Sequence, residues 1–302
     1  MAVHTLLHEN ECGLPLNAIE WLETHHVSKG VEREQMIQNL HLEPGSFIVD
    51  AGCGPGLWAP LLAREIGPLG RIVGVDISPE ALIMAQQRST GAWYRSIVQY
   101  KCAPMEKLPL EFGTADVIFS ANVSQNLPDP VQTFAAMGHY LQPGGRLIIK
   151  DIDFGTMHFS NIDEGLQARV FQARELWEQK RIEEGYTFED SWVGSKLASY
   201  LRQAGFEDVQ EQRYPIIRTA PLPNNVRFYL QGIADWFVCE GAPYLAPEDR
   251  VAWLNCFYQE HVTVLDAEIF RSEETEFVVS GVWNNNPPTL LRPSERRVSF
   301  IS

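Results

Sequence analysis

In the central part of the chain, short apolar runs alternate with segments in which apolar residues recur at helical spacing. Five runs predict buried strands, because each is compact and bounded by glycine or polar residues: SFIVDAG (46–52), RIVGVDI (71–77), SIVQYKCA (96–103), ADVIFSA (115–121) and RLIIKDI (146–152). Helices are predicted between them, one opened by Ser78 as N-cap with Pro79 at its first position. Such strand–helix alternation predicts an α/β fold with a doubly wound parallel sheet over about residues 43–155.

The two ends of the chain differ in pattern from this central region. Before it, LNAIEWLETHHV (16–27) and EREQMIQNL (32–40) predict two short helices. After it, the pattern predicts helices at 161–184, 195–206, 224–240 and 247–265, with strands at 208–217 and at TEFVVSGVW (275–283). We therefore predict an N-terminal helical cap (1–42), an α/β core (43–155), and a C-terminal part (156–302) that completes the sheet and carries helical insertions.

Composition indicates a protein that buries a core. Hydrophobic residues make up 45% of the chain and charged residues 21%. No apolar run reaches the roughly 18 residues that a membrane span needs, and the N-terminus lacks a secretory pattern. The five cysteines are scattered and form no CxxC pair, which is typical of reduced thiols. A cytoplasmic protein is expected.

The net charge argues against a polyanionic partner. The formal charge is −15, and a nucleic acid would be repelled unless a local basic patch compensated. The dense basic cluster, RPSERR at 292–297, is more typical of a solvated tail. We therefore expect no nucleic-acid partner.

The first candidate chemistry lies at Val49–Gly56, between a predicted strand and a predicted helix. Glycines 52, 54 and 56 give G-x-G-x-G, and Leu57 stands where a dinucleotide fingerprint needs its third glycine. Such a turn lets a ligand approach the backbone and aims helix N–H groups at it. Asp50 precedes the loop, and Asp76 ends the next strand, about 20 residues on, where an acid accepts ribose hydroxyls. The alternative is a tight turn with Asp76 capping the next helix.

The stretch FIVDAGCGPGLWAPLLAREIGPLGRIVGVDISPEAL (47–82) resembles the class I S-adenosylmethionine-dependent methyltransferases. It is most similar to the branch with ubiquinone and menaquinone C-methyltransferases and natural-product methyltransferases. The resemblance covers about residues 30–152, with a fainter similarity at LASYLRQAGFEDV. It implies S-adenosyl-L-methionine as cofactor and a Rossmann-like seven-stranded sheet whose last strand, here TEFVVSGVW, is antiparallel, with a helical lid.

The resemblance also implies roles for individual residues. Asp50 would lie near the amino group of the cofactor, with Gly52, Gly54 and Gly56 beside its methionine part. Asp76 would bind the ribose and Ile77 would pack on adenine. The remaining implied cofactor residues are Met105 and Glu106 at the adenine edge and Asn122 at the methionine end. Pro104 departs from the family pattern, because many relatives have an acid there that accepts from the adenine amino group.

Acceptor residues are expected beyond the carboxyl ends of the fourth and fifth strands. The segment after the fourth strand contains Gln125 and Asn126, and the segment after the fifth contains Asp153 and His158. Methyl transfer is an in-line displacement, so a base is needed only if the attacking atom still carries its proton. His158, in a predicted loop, is the candidate base, and a histidine bonded to loop backbone is the more common alternative. Further candidate acceptor residues are Trp21, His25 and Phe237. Core packing is an equal alternative for Trp21, a solvated helix face is the more common alternative for His25, and a core or dimer contact is the more common alternative for Phe237.

Three functions remain open from the sequence. The first is methyl transfer to an O, N or C atom of a small aromatic or heterocyclic acceptor, as in natural-product biosynthesis. The second keeps the cofactor for another reaction such as cyclisation, and the third is a non-catalytic cofactor-binding module. No residues have metal-ligand spacing, so no metal is expected. The aromatic stripe VRFYLQGIADWFVCEGAPYL (226–245) is typical of core or a dimer contact, which leaves a homodimer open.

Overall fold

A computed structural model describes residues 19–185, 190–258 and 262–284. Its sheet has seven strands: β1 Phe47–Ala51, β2 Arg71–Asp76, β3 Val98–Cys102, β4 Ala115–Ala121, β5 Leu141–Phe159, β6 Glu207–Thr219 and β7 Arg271–Trp283. Their order is β3-β2-β1-β4-β5-β7-β6. The first five strands pair in parallel, and β7 is antiparallel to β5 and β6. The predicted Rossmann-like sheet with an antiparallel last strand is confirmed.

The described helices follow the predicted pattern closely. They are α1 Ile19–Ser28, α2 Gly30–Gln38, α3 Ala59–Ile66, α4 Pro79–Ser89, α5 Pro130–Gly138, α6 Glu164–Glu183, α7 Leu197–Gln203, α8 Asn224–Glu240 and α9 Pro247–Phe257. Ser78 caps α4 as predicted, its hydroxyl accepting from the Ala81 N–H over 3.1 Å. The predicted helix at 247–265 is too long, because α9 ends at Phe257.

Both faces of the sheet are buried, as a doubly wound sheet requires. On one face, strand residues pack against α5 and α7 in a core that includes Phe134 and Leu201. On the other face, they pack against α2 and α3 in a core that includes Met36 and Leu62. The carboxyl ends of β1, β2 and β4 therefore meet at one edge, between these two layers.

A third core lies beyond that edge, where the sequence predicted a loop. The expectation of a loop around His158 is wrong, because β5 continues to Phe159 and pairs with β7 as far as Ser272. Helices α6, α8 and α9 pack on this extension. Phe237 stacks on Phe171 in this core at a centroid distance of 4.3 Å and is fully buried. Its ring is enclosed by core side chains, and an acceptor contact of Phe237 stays a prediction.

Two absences concern only the described residues. None of the helices described is both long and apolar enough to cross a bilayer. Nor do three or more His, Cys, Asp or Glu side chains in residues 19–185, 190–258 and 262–284 group as a metal would require.

Candidate active site

The glycine loop adopts a backbone that only glycine readily takes. Gly52, Gly54 and Gly56 have φ of 75°, 51° and 75°. Space is also restricted, because a Cβ at Gly52 would lie 2.5 Å from a methyl carbon of Val123. The loop is tied to β2 through the Val75 carbonyl, which accepts from Gly52 N–H over 2.7 Å. The sequence pattern thus reflects a real geometric demand at the carboxyl end of β1.

Asp76 is bonded to the loop and to the next helix. Its Oδ2 accepts from the Gly54 N–H over 2.8 Å and its Oδ1 from the Ser78 N–H over 2.9 Å. A carboxylate has about four acceptor positions, so these two bonds leave capacity for further donors. Asp76 therefore stabilises the loop and can still accept from ribose hydroxyls.

Asp50 is a buried carboxyl group at the end of β1. It is 1% exposed, and its Oδ1 accepts no hydrogen bond from the described part of the chain. Burial and the neighbouring charge of Asp76 raise its pKa to about 7. A buried carboxyl group with free acceptor capacity suits a cationic ligand group, such as the ammonium of an amino acid.

Asn122 follows β4 at the same edge of the sheet. Its φ is 59°, in the left-handed region that asparagine tolerates better than most residues. Its Oδ1 accepts from Lys150 Nζ over 2.6 Å, and its N–H donates to the Lys150 carbonyl over 2.8 Å. One residue of β5 therefore sets both the backbone and the side chain of Asn122.

Lys150 belongs to a buried ion cluster, which we define as Lys29, Lys150, Tyr229, Glu274 and Glu276. Glu276 Oε1 lies 2.6 Å from Lys150 Nζ and 2.9 Å from Lys29 Nζ. Glu274 Oε2 lies 3.0 Å from Lys29 Nζ and accepts from the Tyr229 hydroxyl over 2.6 Å. Burial lowers the pKa of Lys150, and Glu276 opposes that effect. The cluster joins the α1–α2 junction to β5 and β7.

Helix α1 covers the glycine loop and the ion cluster. A Cβ at Gly54 would lie 3.9 Å from a methyl of Leu22. Both Trp21 and His25 are buried against Tyr229, with ring centroids 5.7 and 5.3 Å away. Burial, then Lys29, lowers the pKa of His25 well below its usual range. The solvated-face alternative for His25 is wrong, and the prediction of an acceptor contact stays open for both residues.

Residues predicted at the adenine end lie around the carboxyl ends of β2 and β3. The side chain of Ile77 is 57% exposed, whereas Met105 is buried. The Glu106 carboxylate is exposed and accepts from the Thr133 hydroxyl over 3.2 Å. Glu106 and Thr133 also line a surface cavity with Pro104 and Asp129. The structure thus places a surface cavity beside Pro104, the position where the family pattern is broken.

The predicted acceptor residues are placed differently from one another. Gln125 lies beyond β4, and its Oε1 is buried without a donor from the described residues, while Asn126 is exposed. Asp153 is instead a backbone anchor, since its carboxylate accepts from the N–H groups of Gly155 and Ser195. His158 is exposed on the β5 extension opposite Glu273. The expected loop position of His158 is therefore wrong.

The charged residues of the ion cluster were missed at the sequence level. Two signals were present: a lysine inside the apolar run RLIIKDI, and Glu274 and Glu276 at alternate positions of EETEF (273–277) in the last strand. A charge on the buried face of a strand needs a partner. The signals could have indicated the need for partners, but not which residues supply them.

A family model described as a methyltransferase domain matches residues 49–149, the region that contains the glycine loop, Asp76 and Asn122. This match and the geometry of the loop decide the class. The chain carries a class I S-adenosylmethionine-dependent methyltransferase domain. The methyltransferase uses S-adenosylmethionine as cofactor.

Similar proteins include two quinone methyltransferases. A demethylmenaquinone methyltransferase of Lactiplantibacillus plantarum is 28% identical over 60% of this chain and 79% of its own length. A ubiquinone biosynthesis O-methyltransferase of Xylella fastidiosa is 26% identical over 76% of this chain and 83% of its own. An uncharacterized 37.1 kDa protein in transposon TN4556 of Streptomyces fradiae is 34% identical over 57% of this chain. The match covers 46% of that protein, so the chain spans about half its length.

Solved structures show the same fold at low sequence identity. The YcgJ protein of Bacillus subtilis superposes with a TM-score of 0.53 at 14% identity, over 87% of this chain and all of that one. Phosphoethanolamine N-methyltransferase 2 of Haemonchus contortus, in complex with S-adenosyl-L-methionine, has a TM-score of 0.52 at 15% identity. That match covers 89% of this chain and 59% of that one.

Proposed function

We propose that this methyltransferase transfers the methyl group of S-adenosylmethionine to a hydroxylated aromatic or heterocyclic acceptor, with a quinol-like ring as the leading candidate. The relatives named for demethylmenaquinone and for ubiquinone biosynthesis support that acceptor class. The name of the second relative favours methylation at oxygen, and methylation at carbon and a natural-product acceptor of similar shape are included in the proposal.

The observation that carries the proposal is the pair of carboxyl groups around the glycine loop. Asp50, buried and with free acceptor capacity, would hold the cofactor ammonium. Asp76, bonded to Gly54 and Ser78, would accept from the ribose hydroxyls. The bound cofactor supplies an electrophilic methyl group on a sulfonium. These residues would fix its position, so that the attacking atom needs only to be aligned and shielded from water.

A proton acceptor is needed if the acceptor hydroxyl is neutral when it attacks. We propose Asp151 for this role in place of His158. It lies at the carboxyl end of the core part of β5, its Oδ2 accepts from the Ser124 N–H over 2.9 Å, and burial raises its pKa. A carboxyl group with a raised pKa takes up a proton more readily near neutrality. His158, by contrast, is exposed on the extension.

An acceptor screen tests the proposal. The protein is incubated with S-adenosylmethionine and a panel of naphthoquinols, polyhydroxybenzoates, hydroxylated heterocycles and aliphatic amines, and S-adenosylhomocysteine release is measured. We expect release with the hydroxylated rings in proportion to methylated product, identified by mass spectrometry. The Asp76→Ala variant is the control, because it retains the acceptor side but loses the proposed ribose contact.

Turnover of aliphatic amines alone would contradict the proposed acceptor class. Tight S-adenosylhomocysteine binding with a product that carries no methyl group would instead support another reaction at the same cofactor site.

A further inference from the structure

Asn122 and Lys150 form a pair in which the chemistry of one side chain fixes the orientation of the other. A lysine ammonium has three donors and no acceptor. The atom of Asn122 that lies 2.6 Å from Lys150 Nζ must therefore be the amide oxygen and not the amide nitrogen. The two N–H donors of the amide are consequently directed away from Lys150.

A donor at this position complements the neighbouring carboxyl group. Asp50, at the end of the adjacent strand β1, suits an ammonium group, whereas an amide N–H group suits an acceptor such as a carboxylate oxygen. The amino-acid end of S-adenosylmethionine carries one group of each kind. The edge formed by β1 and β4 thus offers an acceptor for the ammonium and a donor for the carboxylate.

Lys150 is itself immobilised. Its side chain is 1% exposed, and Glu276 Oε1 lies 2.6 Å from Nζ. The same oxygen contacts Lys29 from the α1–α2 junction, at 2.9 Å. A buried ammonium needs such a carboxylate, because burial alone would favour the neutral amine. The ammonium is thereby held where it can fix only one of the two possible orientations of the Asn122 amide.

We infer that Lys150 is a positioning residue, which holds the amide of Asn122 with its N–H groups toward the carboxylate of the bound cofactor. Lys150 acts through Asn122 and does not itself contact the reacting atoms. The inference rests on the proposed contact of Asn122 with the methionine end of the cofactor.

Binding of two nucleoside ligands tests the inference without an acceptor. Calorimetry is performed with S-adenosylhomocysteine and with 5′-methylthioadenosine, which shares the nucleoside but lacks the amino-acid end. We expect Asn122→Ala and Lys150→Met each to weaken S-adenosylhomocysteine binding about tenfold, while affinity for methylthioadenosine changes less than twofold. The double variant should bind no more weakly than Asn122→Ala, because residues that act as a unit are not additive.

Two further variants separate positioning from stability. Lys29→Met removes the other ammonium from the same Glu276 oxygen but leaves the bond between Lys150 and Asn122. It should lower the thermal midpoint while S-adenosylhomocysteine affinity stays within twofold. Asn122→Asp keeps a partner for Lys150, so the fold is retained even if Lys150→Met does not fold. It replaces the two donors by a negative charge and should also weaken S-adenosylhomocysteine selectively.

Each contrary result has a distinct meaning. Unchanged S-adenosylhomocysteine affinity in Asn122→Ala would overturn both the proposed contact of Asn122 and the role of Lys150. Additive losses in the double variant, or equal losses for the two ligands, would overturn the role of Lys150 alone. Tight binding by Asn122→Asp would contradict the direction of the amide. Methyl transfer itself is judged separately by the acceptor screen.

Discussion

The carboxyl group of Asp50 titrates in the range where the protein would bind its cofactor. Burial, then Asp76, raises its pKa to about 7, and the cofactor ammonium should bind the ionised form. We therefore expect S-adenosylhomocysteine affinity to increase with pH, by up to about tenfold per unit below pH 7, and to level off above it. Calorimetry between about pH 5.5 and 7.5 measures this dependence. Asp50→Asn should bind more weakly at pH 7 and show a flatter profile.

Ionisation of Asp50 should increase ligand affinity but lower the free energy of unfolding of the ligand-free protein. The folded pKa lies above the ordinary value of 3.8, so folding favours the protonated form. Ionisation therefore destabilises the ligand-free protein progressively as pH rises from about 4 to about 7. We expect Asp50→Asn to be more stable than the parent at pH 7 and equal to it near pH 4, by urea unfolding. An Asp50→Asn variant that loses stability equally at both pH values would contradict the raised pKa.

The two proposed roles of Asp76, ribose binding and support of the glycine loop, can be tested separately. Asp76→Ala should weaken S-adenosylhomocysteine binding by about 1–3 kcal/mol, because hydrogen bonds to a charged acceptor are lost. Ser78→Ala is the matched control, since it removes the cap of α4 but not the proposed ribose contact. It should cost about 1 kcal/mol of stability with little change in affinity. Calorimetry and thermal unfolding of both variants decide whether Asp76 binds ligand or only supports the loop.

At the scale of elements, the close packing of α1 against α8 depends on a glycine in α8. A Cβ at Gly232 would lie 2.1 Å from the Trp21 ring, so the two helices approach where no other side chain fits. We expect Gly232→Ala to lower the free energy of unfolding by about 1–3 kcal/mol through overpacking, although alanine favours helix. Turnover should also fall, because α1 covers the glycine loop. Chemical denaturation and initial rates measure the two effects.

Gly30 provides the comparison, because it is also helical and a Cβ there meets nothing within 4 Å. Gly30→Ala should leave stability unchanged or raise it by up to about 1 kcal/mol. If both variants behave alike, the close approach of Trp21 to Gly232 does not determine how α1 is seated.

At the scale of the whole molecule, ligand binding should stabilise the fold selectively. The proposed cofactor site lies at the ends of β1, β2 and β4, so a ligand that binds there should favour the folded state. At about 100 times its Kd, S-adenosylhomocysteine should add about 2.7 kcal/mol to the free energy of unfolding. NAD at the same concentration should leave the thermal midpoint unchanged, and a larger shift with NAD would contradict the cofactor assignment.

The division into a sheet core and a helical part also belongs to this scale. Three helices of the C-terminal part, α6, α8 and α9, share one apolar core on the extended ends of β5 and β7, separate from the two cores on the sheet faces. The proposed active-site edge lies between this C-terminal core and the two cores on the sheet faces. The predicted boundaries at residues 43 and 156 remain a prediction, and β5 runs across the second of them.

Local patterns in the sequence determined the strands, most helices, the glycine loop and the positions of Asp50 and Asp76. These features depend on short-range rules: hydrophobic periodicity, glycine at positive φ, and acids at strand ends. Even the antiparallel last strand followed, although through resemblance to a family and not through periodicity. The glycine loop and the two acids beside it could therefore be anticipated from the sequence, and their contacts with the cofactor remain predictions.

Only the tertiary structure decided how distant charges meet. Lys29, Lys150 and Glu276 are far apart in sequence and pair because α1, β5 and β7 converge on one buried point. The extension of β5 past residue 152 is likewise decided by pairing with β7, which local pattern does not reveal. That pairing leaves His158 on an exposed strand and encloses Phe237 in a core. Long-range contacts thus set the proposed acceptor side of the site, because burial and partnership there depend on segments that only folding brings together.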